Sequence, residues 1–203
     1  MSSLRKKLLE TLPISRGQLL VRSCDRPDMD LLAAWPVYPF PHNVFVFSFA
    51  HLPPAEMDSL FDSRRQQDDR ITLVADCGLA GTVGYVALLE IDWERRRSHN
   101  LGMRVHSEWC GRGIGREMLA GVRDWWFAGG MRLLRLDVAS SNARAVRCYE
   151  KVGFVRSGEF WKEDPDLAGA DLSDPRWRFL DGHVRAGAGA PESRFLVMEL
   201  KSE

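Results

Sequence analysis

The sequence predicts a mixed α/β domain in which a mostly antiparallel sheet is flanked by helices. Three observations carry this. The chain has 203 residues, 45% of them apolar and 28% charged, enough to bury roughly 70% of its unfolded surface in one core without a disulfide or metal staple. Residues 70–105 read as three strand-like runs joined by short polar turns, the pattern of an antiparallel meander. Beyond residue 106 helical and strand-like periods alternate.

The elements follow in order. Leu4, Leu8, Leu9 and Leu12 have near-helical spacing up to Pro13, which fits either a short amphipathic piece docked on the body or on another subunit, or a frayed end. Residues 18–24 read as a strand and 28–35 as a short helix stopped by Pro36. The run WPVYPFPHNVFVFSF follows, and Pro36, Pro39 and Pro41 forbid a regular helix there. Tyr38, Phe40, Phe45, Phe47 and Phe49 therefore sit on an extended path, as core rings or as a pocket wall.

A helix is expected over 55–67, with Met57, Leu60 and Phe61 on one face. Strands over 70–76, 82–92 and 98–105 make the meander. A helix over 114–128 presents Ile114, Met118, Leu119, Val122 and Trp126, and ends at Gly129 and Gly130. A strand over 131–139, a helix over 142–152 closed by Gly153, and strands over 154–160 and 195–200 complete the chain. The 161–194 connection between the last two is long enough to have a function or mobility of its own, with Trp177, Phe179 and Leu180 as anchors. The organisation expected is an N-terminal extension, 1–16, and one domain, 17–203, carrying the 161–194 insertion.

The charge balance excludes several classes. Lys and Arg number 28 against 28 Asp and Glu, so no long-range field draws the chain to nucleic acid or anionic lipid, and neither is expected as a partner. The longest apolar run, near 44–50, is too short to span a bilayer. Cys24, Cys77, Cys110 and Cys148 are far apart, with no Cys-x-x-Cys pair and no histidine at metal-ligand spacing, so no metal is expected. The charged N-terminal run does not read as a signal peptide, and a cytoplasmic setting is expected.

The strongest signal is Cys110-Gly111-Arg112-Gly113-Ile114-Gly115-Arg116 at the mouth of the 114–128 helix. Alternate glycines let main-chain amides converge on one point, where the helix dipole also favours negative charge. The spacing fits neither a dinucleotide fingerprint, which needs a glycine at Arg116, nor a Walker loop, which needs Gly-Lys-Ser/Thr.

In VHSEWCGRGIGREML followed by SNARAVRCYEKVGF, the sequence resembles the two signature segments of the GCN5-related N-acetyltransferase superfamily over about 18–200. The resemblance implies the acyl-CoA N-acyltransferase fold, with central strands splayed around the cofactor, and acetyl-CoA as acetyl donor. It implies that residues 110–116 hold the pyrophosphate through main-chain amides and that Met103, Arg104 and Val105 pair with the pantetheine. Cys110 departs from the family's Arg or Gln at the first position, where Arg112 or Arg116 would compensate. It further implies that Asn142 contacts the cofactor and that Tyr149 lies near the thioester sulfur. HNLGMRVHSEW and the Asp124-Trp125 pair are most similar to bacterial small-molecule or amino-acid acetyltransferases.

Acetyl transfer to an amine needs a neutral nitrogen, and a primary ammonium with pKa near 10 is almost wholly protonated at pH 7. Asp137, reaching through a water, is the expected base, since it precedes Asn142 on the 131–139 strand where relatives acting on protein N termini carry a glutamate. Glu90 and His99 compete for the role. His42, His51, His106 and His183 belong to no constellation in the sequence. Tyr149 is the expected acid for the departing thiolate, and a main-chain amide in 101–105 the expected oxyanion donor. Cys148 is expected to pack rather than react, so transfer is direct within a ternary complex. The acceptor is expected to be a small-molecule primary amine; a protein N terminus or lysine, or an acyl-CoA sensor without turnover, are the alternatives. A homodimer built partly on the insertion is also expected.

Overall fold

The computed structural model describes residues 2–202. Its order is α1 (Ser3–Glu10), β1 (Ile14–Arg16), β2 (Leu19–Ser23), α2 (Arg26–Ala33), α3 (Pro54–Gln66), β3 (Ile71–Asp76), β4 (Thr82–Asp92), β5 (Arg97–Val105), α4 (Ile114–Ala128), β6 (Leu133–Ala139), α5 (Ala143–Val152), β7 (Val155–Glu163), β8 (Val184–Arg185) and β9 (Glu192–Lys201). One sheet runs β1-β2-β3-β4-β5-β6-β9-β7, with β8 also on β9. Every pairing is antiparallel except β5 with β6.

That parallel pairing positions the site. It consists of Arg97 opposite Leu133 and Ser98 opposite Leu134. Past it, β5 stays on β4 through Val105, while β6 stays on β9 through Ala139. Each strand has its other neighbour to hold it, so the two part into a V in the middle of the sheet. Glu90 marks an irregularity on β4, with φ +53°, a conformation rare outside glycine. Leu88 and Ile91, three residues apart, both face the main core, so the strand changes faces at this point.

The main core lies between the sheet and α4 and α5. Ile114, Met118, Leu119, Val122 and Trp126 are all buried there, as the helical spacing demanded, together with Leu134, Leu136 and Val138 from β6 and Tyr149 from α5. A second core on the opposite face gathers Met29, Leu32, Trp35, Phe49, Met57, Val74, Tyr85 and Ala87. The aromatic run 35–49 thus divides. Trp35, Tyr38 and Phe49 are buried, whereas Phe40 and Phe47 keep substantial exposure.

α2 is tied to the sheet by charge as well as packing. Buried Asp28 accepts from Arg22 Nη1 at 2.7 Å and Nη2 at 2.8 Å, and Arg22 Nε reaches Asp76 at 2.7 Å. Asp28 also closes the helix N-terminus in a capping box with Asp25.

α1 docks on α4. Leu8 is buried, and a side chain on Gly129 would collide with it. Trp125 Nε1 donates to Leu8 O at 3.2 Å and to Thr11 Oγ1 at 2.9 Å. Trp125→Phe removes this donor and is expected to lower stability by about 1–2 kcal/mol, read as a shifted midpoint in urea unfolding. A groove of about 580 Å³ beside this joint is lined by Leu8, Ile14, Gly121 and Trp125. It lies toward the C-terminal end of α4, away from the glycine-rich loop.

The insertion is shorter than the sequence indicated, because β7 extends to Glu163 and β9 begins at Glu192. Between them Leu167, Trp177 and Leu180 form a small core of their own, with Val44 and Phe179 packed against it. The ring of Phe40 meets Trp177 at 5.3 Å and Phe179 at 5.6 Å, so the insertion leans on the aromatic run.

Candidate active site

The loop from Cys110 into α4 has the geometry of an anion cradle. Gly111 and Gly113 have φ of +80° and +84°, conformations that glycine adopts without strain. A Cβ built on either would meet nothing within 4 Å, so the surface above them is open. Gly113 is the N-cap of α4 and offers no side-chain cap, and the first helical bond reaches back from Glu117 N to Gly113 O at 3.0 Å. The amides of Ile114, Gly115 and Arg116 precede that bond and carry the positive end of the helix dipole. Gly115 serves packing: its Cβ position would lie 3.4 Å from Val105, 3.5 Å from Met103 and 3.6 Å from Cys148 Sγ.

Two cations flank the cradle. Arg112 and Arg116 are exposed, and the Arg112 guanidinium lies 4.9 Å over the Trp109 ring. Among the described residues neither has a carboxylate partner. Cys110 sits half-buried at the start of the loop, its thiol donating to Tyr38 Oη at 3.5 Å.

Met103 and Val105 line the V on the α4 side, so strand alternation turns Arg104 to the opposite face. There Arg104 is 3% exposed, opposite Tyr85, with its guanidinium 5.1 Å over Trp35. Tyr38 donates its hydroxyl to the Val105 carbonyl. Arg144, in the first turn of α5, stacks 5.2 Å over the Tyr38 ring. The aromatic run therefore bridges the two arms of the V, a role that the sequence reading left unresolved.

The second signature segment stands on the other arm. Asn142 is the N-cap of α5, its Oδ1 accepting from Ala145 N at 3.2 Å. Tyr149 is buried against Phe154, ring centroids 5.9 Å apart, and burial holds its phenol well above the ordinary value. Among the described residues its hydroxyl has no hydrogen-bond partner. Cys148 packs toward Gly115, and burial raises its thiol too.

Of the candidate bases, Asp137 lies on the sheet face opposite buried Leu136 and Val138, the face that Arg104 also occupies. Its Oδ1 is buried, unpaired by any hydrogen bond and 3.6 Å from Arg135 Nη2. Glu90 is exposed and His99 half-buried.

Of the histidines without a constellation in the sequence, His183 gains a hydrogen-bond partner, while the buried Nδ1 of His42 has none among the described residues. His183 Nδ1 is 2.8 Å from Ser140 Oγ, immediately before α5, and His42 lies near Arg144. Burial lowers both imidazoles. No local pattern could have linked His183 to Ser140, which are 43 residues apart.

Comparison with known proteins decides the family. The model of the Acetyltransferase (GNAT) family matches residues 34–154, more than half of the chain, including the whole cradle and both signature segments. The chain belongs to that family. It is an acetyltransferase with acetyl-CoA as its donor, and the open cradle with its flanking arginines fits the diphosphate of that molecule. Spermidine N(1)-acetyltransferase of Vibrio cholerae is 24% identical over 152 residues, covering 72% of this chain and 84% of that protein. The crystal structure of spermidine N-acetyltransferase from Vibrio cholerae with CoA and spermine matches with a TM-score of 0.67 at 19% identity, over 91% of this chain and 95% of that one. A chimera of that enzyme and hSSAT matches at 0.65, also at 19% identity, over 91% and 96%. These structures share the fold described above. Among the described residues no helix is long and apolar enough to cross a membrane.

Proposed function

We propose that this acetyltransferase moves the acetyl group of acetyl-CoA to a primary amine of a small molecule, by direct transfer in a ternary complex within the cytoplasm. The observation that carries the reading is the V between β5 and β6 with the open cradle at its end. The diphosphate of acetyl-CoA would lie on the amides of Gly111 through Arg116, and its pantetheine arm along Met103, Arg104 and Val105. The Vibrio relative named for spermidine supports a small amine as acceptor.

The residues divide the chemistry. Acetyl-CoA supplies an activated acyl group as a thioester. Asp137, through one water, takes the proton that the acceptor ammonium must lose, a contribution of about two to four orders of magnitude. A main-chain amide of residues 101–105 stabilises the negative charge that builds on the carbonyl oxygen. Tyr149, held protonated by burial, gives its proton to the departing thiolate. Asn142 keeps α5, and with it Tyr149, in register through its cap. Cys148 takes no covalent part, because burial opposes its thiolate.

The test is thiol release with acetyl-CoA across a panel of monoamines, polyamines, amino acids and peptides. Small amines are expected to turn over. Acetylation confined to peptide N termini or lysines would favour the protein-directed alternative, and CoA binding without turnover a sensor. Asp137→Asn is expected to lower kcat/KM by about 10²-fold or more below pH 8 and to recover partly at alkaline pH, where the free amine supplies itself. A flat loss at all pH values would count against Asp137 as base. The homodimer is tested by analytical ultracentrifugation.

A further inference from the structure

Three arginines are each stacked on an aromatic ring: Arg104 over Trp35 at 5.1 Å and Arg64 over Phe49 at 5.1 Å across the sheet from α4, and Arg144, in the first turn of α5, over Tyr38 at 5.2 Å. Among the described residues none of the three has a carboxylate partner, although the chain has as many acids as bases. The contrast with Arg22 is direct, since that side chain engages both Asp28 and Asp76.

Arg104 is the extreme case. It is 3% exposed, and its Nε and Nη1 are buried with no hydrogen-bond partner. A guanidinium stays charged at any physiological pH, and a buried charge without a counter-ion or acceptor is costly. Packing on Trp35 offsets part of that cost but satisfies no N–H group. Nor does the cradle explain it, since Met103 and Val105 face α4 and Arg104 faces away.

We propose that Arg104 is the receptor for a carboxylate on the acceptor, and that the substrate is therefore an amino acid or related amino-carboxylate rather than a polyamine. The inference rests on the small-amine reading above. The carboxylate would accept from Nη2 of Arg104, the guanidinium nitrogen that is not closed off, and would balance the charge of the whole group, with Arg144 adding positive charge from across the V. The rings of Trp35 and Tyr38 flank the same point and suit the carbon skeleton. A polycation such as spermidine would meet these guanidiniums, and Asp137 on the same face already has Arg135 at 3.6 Å, so like-charge repulsion selects against it.

The experiment compares the free amino acids with their methyl esters and with spermidine, for wild type, Arg104→Met and Arg104→Lys. Wild type is expected to prefer at least one free acid over its ester by about 10- to 100-fold in kcat/KM, the value of a charge-assisted hydrogen bond. Arg104→Met should shrink that preference to within about 3-fold, and Arg104→Lys should restore part of it. Esters or spermidine used as well as acids by wild type would overturn the proposal, as would an unchanged preference in Arg104→Met. Calorimetry on the CoA-saturated protein separates this inference from the transfer reading. Selective binding of acids without turnover supports Arg104 while contradicting transfer, and no selective binding of acids overturns Arg104.

Discussion

Tyr149→Phe is expected to lower kcat by about 10²–10⁴-fold while leaving the affinity for CoA within a few-fold, because it removes only a proton donor from a ring that stays packed on Phe154. The sign of the pH effect follows from burial. The folded-state phenol titrates above its ordinary value near 10, so the neutral, donating form persists through that pH. Wild type should therefore show no alkaline decline from this residue up to pH 10, and the variant's loss should be the same at every pH over that range. Steady-state kinetics from pH 6 to 10.5 check both points. The replacement removes a hydroxyl with no hydrogen-bond partner among the described residues, so thermal stability should change little. A fully active variant would mean that the thiolate leaves without this acid.

Gly113→Val is expected to weaken CoA binding by about 10²-fold or more. At φ +84° a β-branched residue is strained, and relief of that strain would turn the first amides of α4 away from their common focus. The Cβ position itself is open, so the damage would come from backbone geometry and from a side chain standing in the anion's place rather than from a clash within the protein. Calorimetry of CoA binding, with circular dichroism to confirm the fold, reads this directly. Retention of wild-type affinity would show that the diphosphate rests elsewhere.

Much of the fold was legible because the local signals agreed with the global ones. The α4 boundaries, 114–128, follow from a glycine-rich entry, a helical apolar face and a double-glycine exit, and the meander from three alternating runs with short turns. The cradle was legible for the same reason, since its glycines, the helix start and the strand before it lie within twenty residues. What the sequence withheld depends on contacts distant along the chain. Tyr38 reaches Val105 across 67 residues, and nothing in a proline-interrupted aromatic run says which ring will bridge the V. Leu8 and Thr11 meet Trp125 more than a hundred residues away, which turns a short leucine repeat into a docked helix. Arg104 was legible only as a member of the strand expected to pair with the pantetheine. Its importance comes from the face it occupies and the acids it lacks, and both emerge only when β5 is set beside α4 and the 35–49 run.

The most direct test of the account is an amide-resolved NMR titration of the wild-type protein with CoA. The account expects saturable shifts concentrated at the amides of Gly111 through Arg116 and at Met103 through Val105, with the amides around the α1–α4 groove unmoved. Saturation that leaves the 111–116 amides in place, or no binding at all, would contradict it.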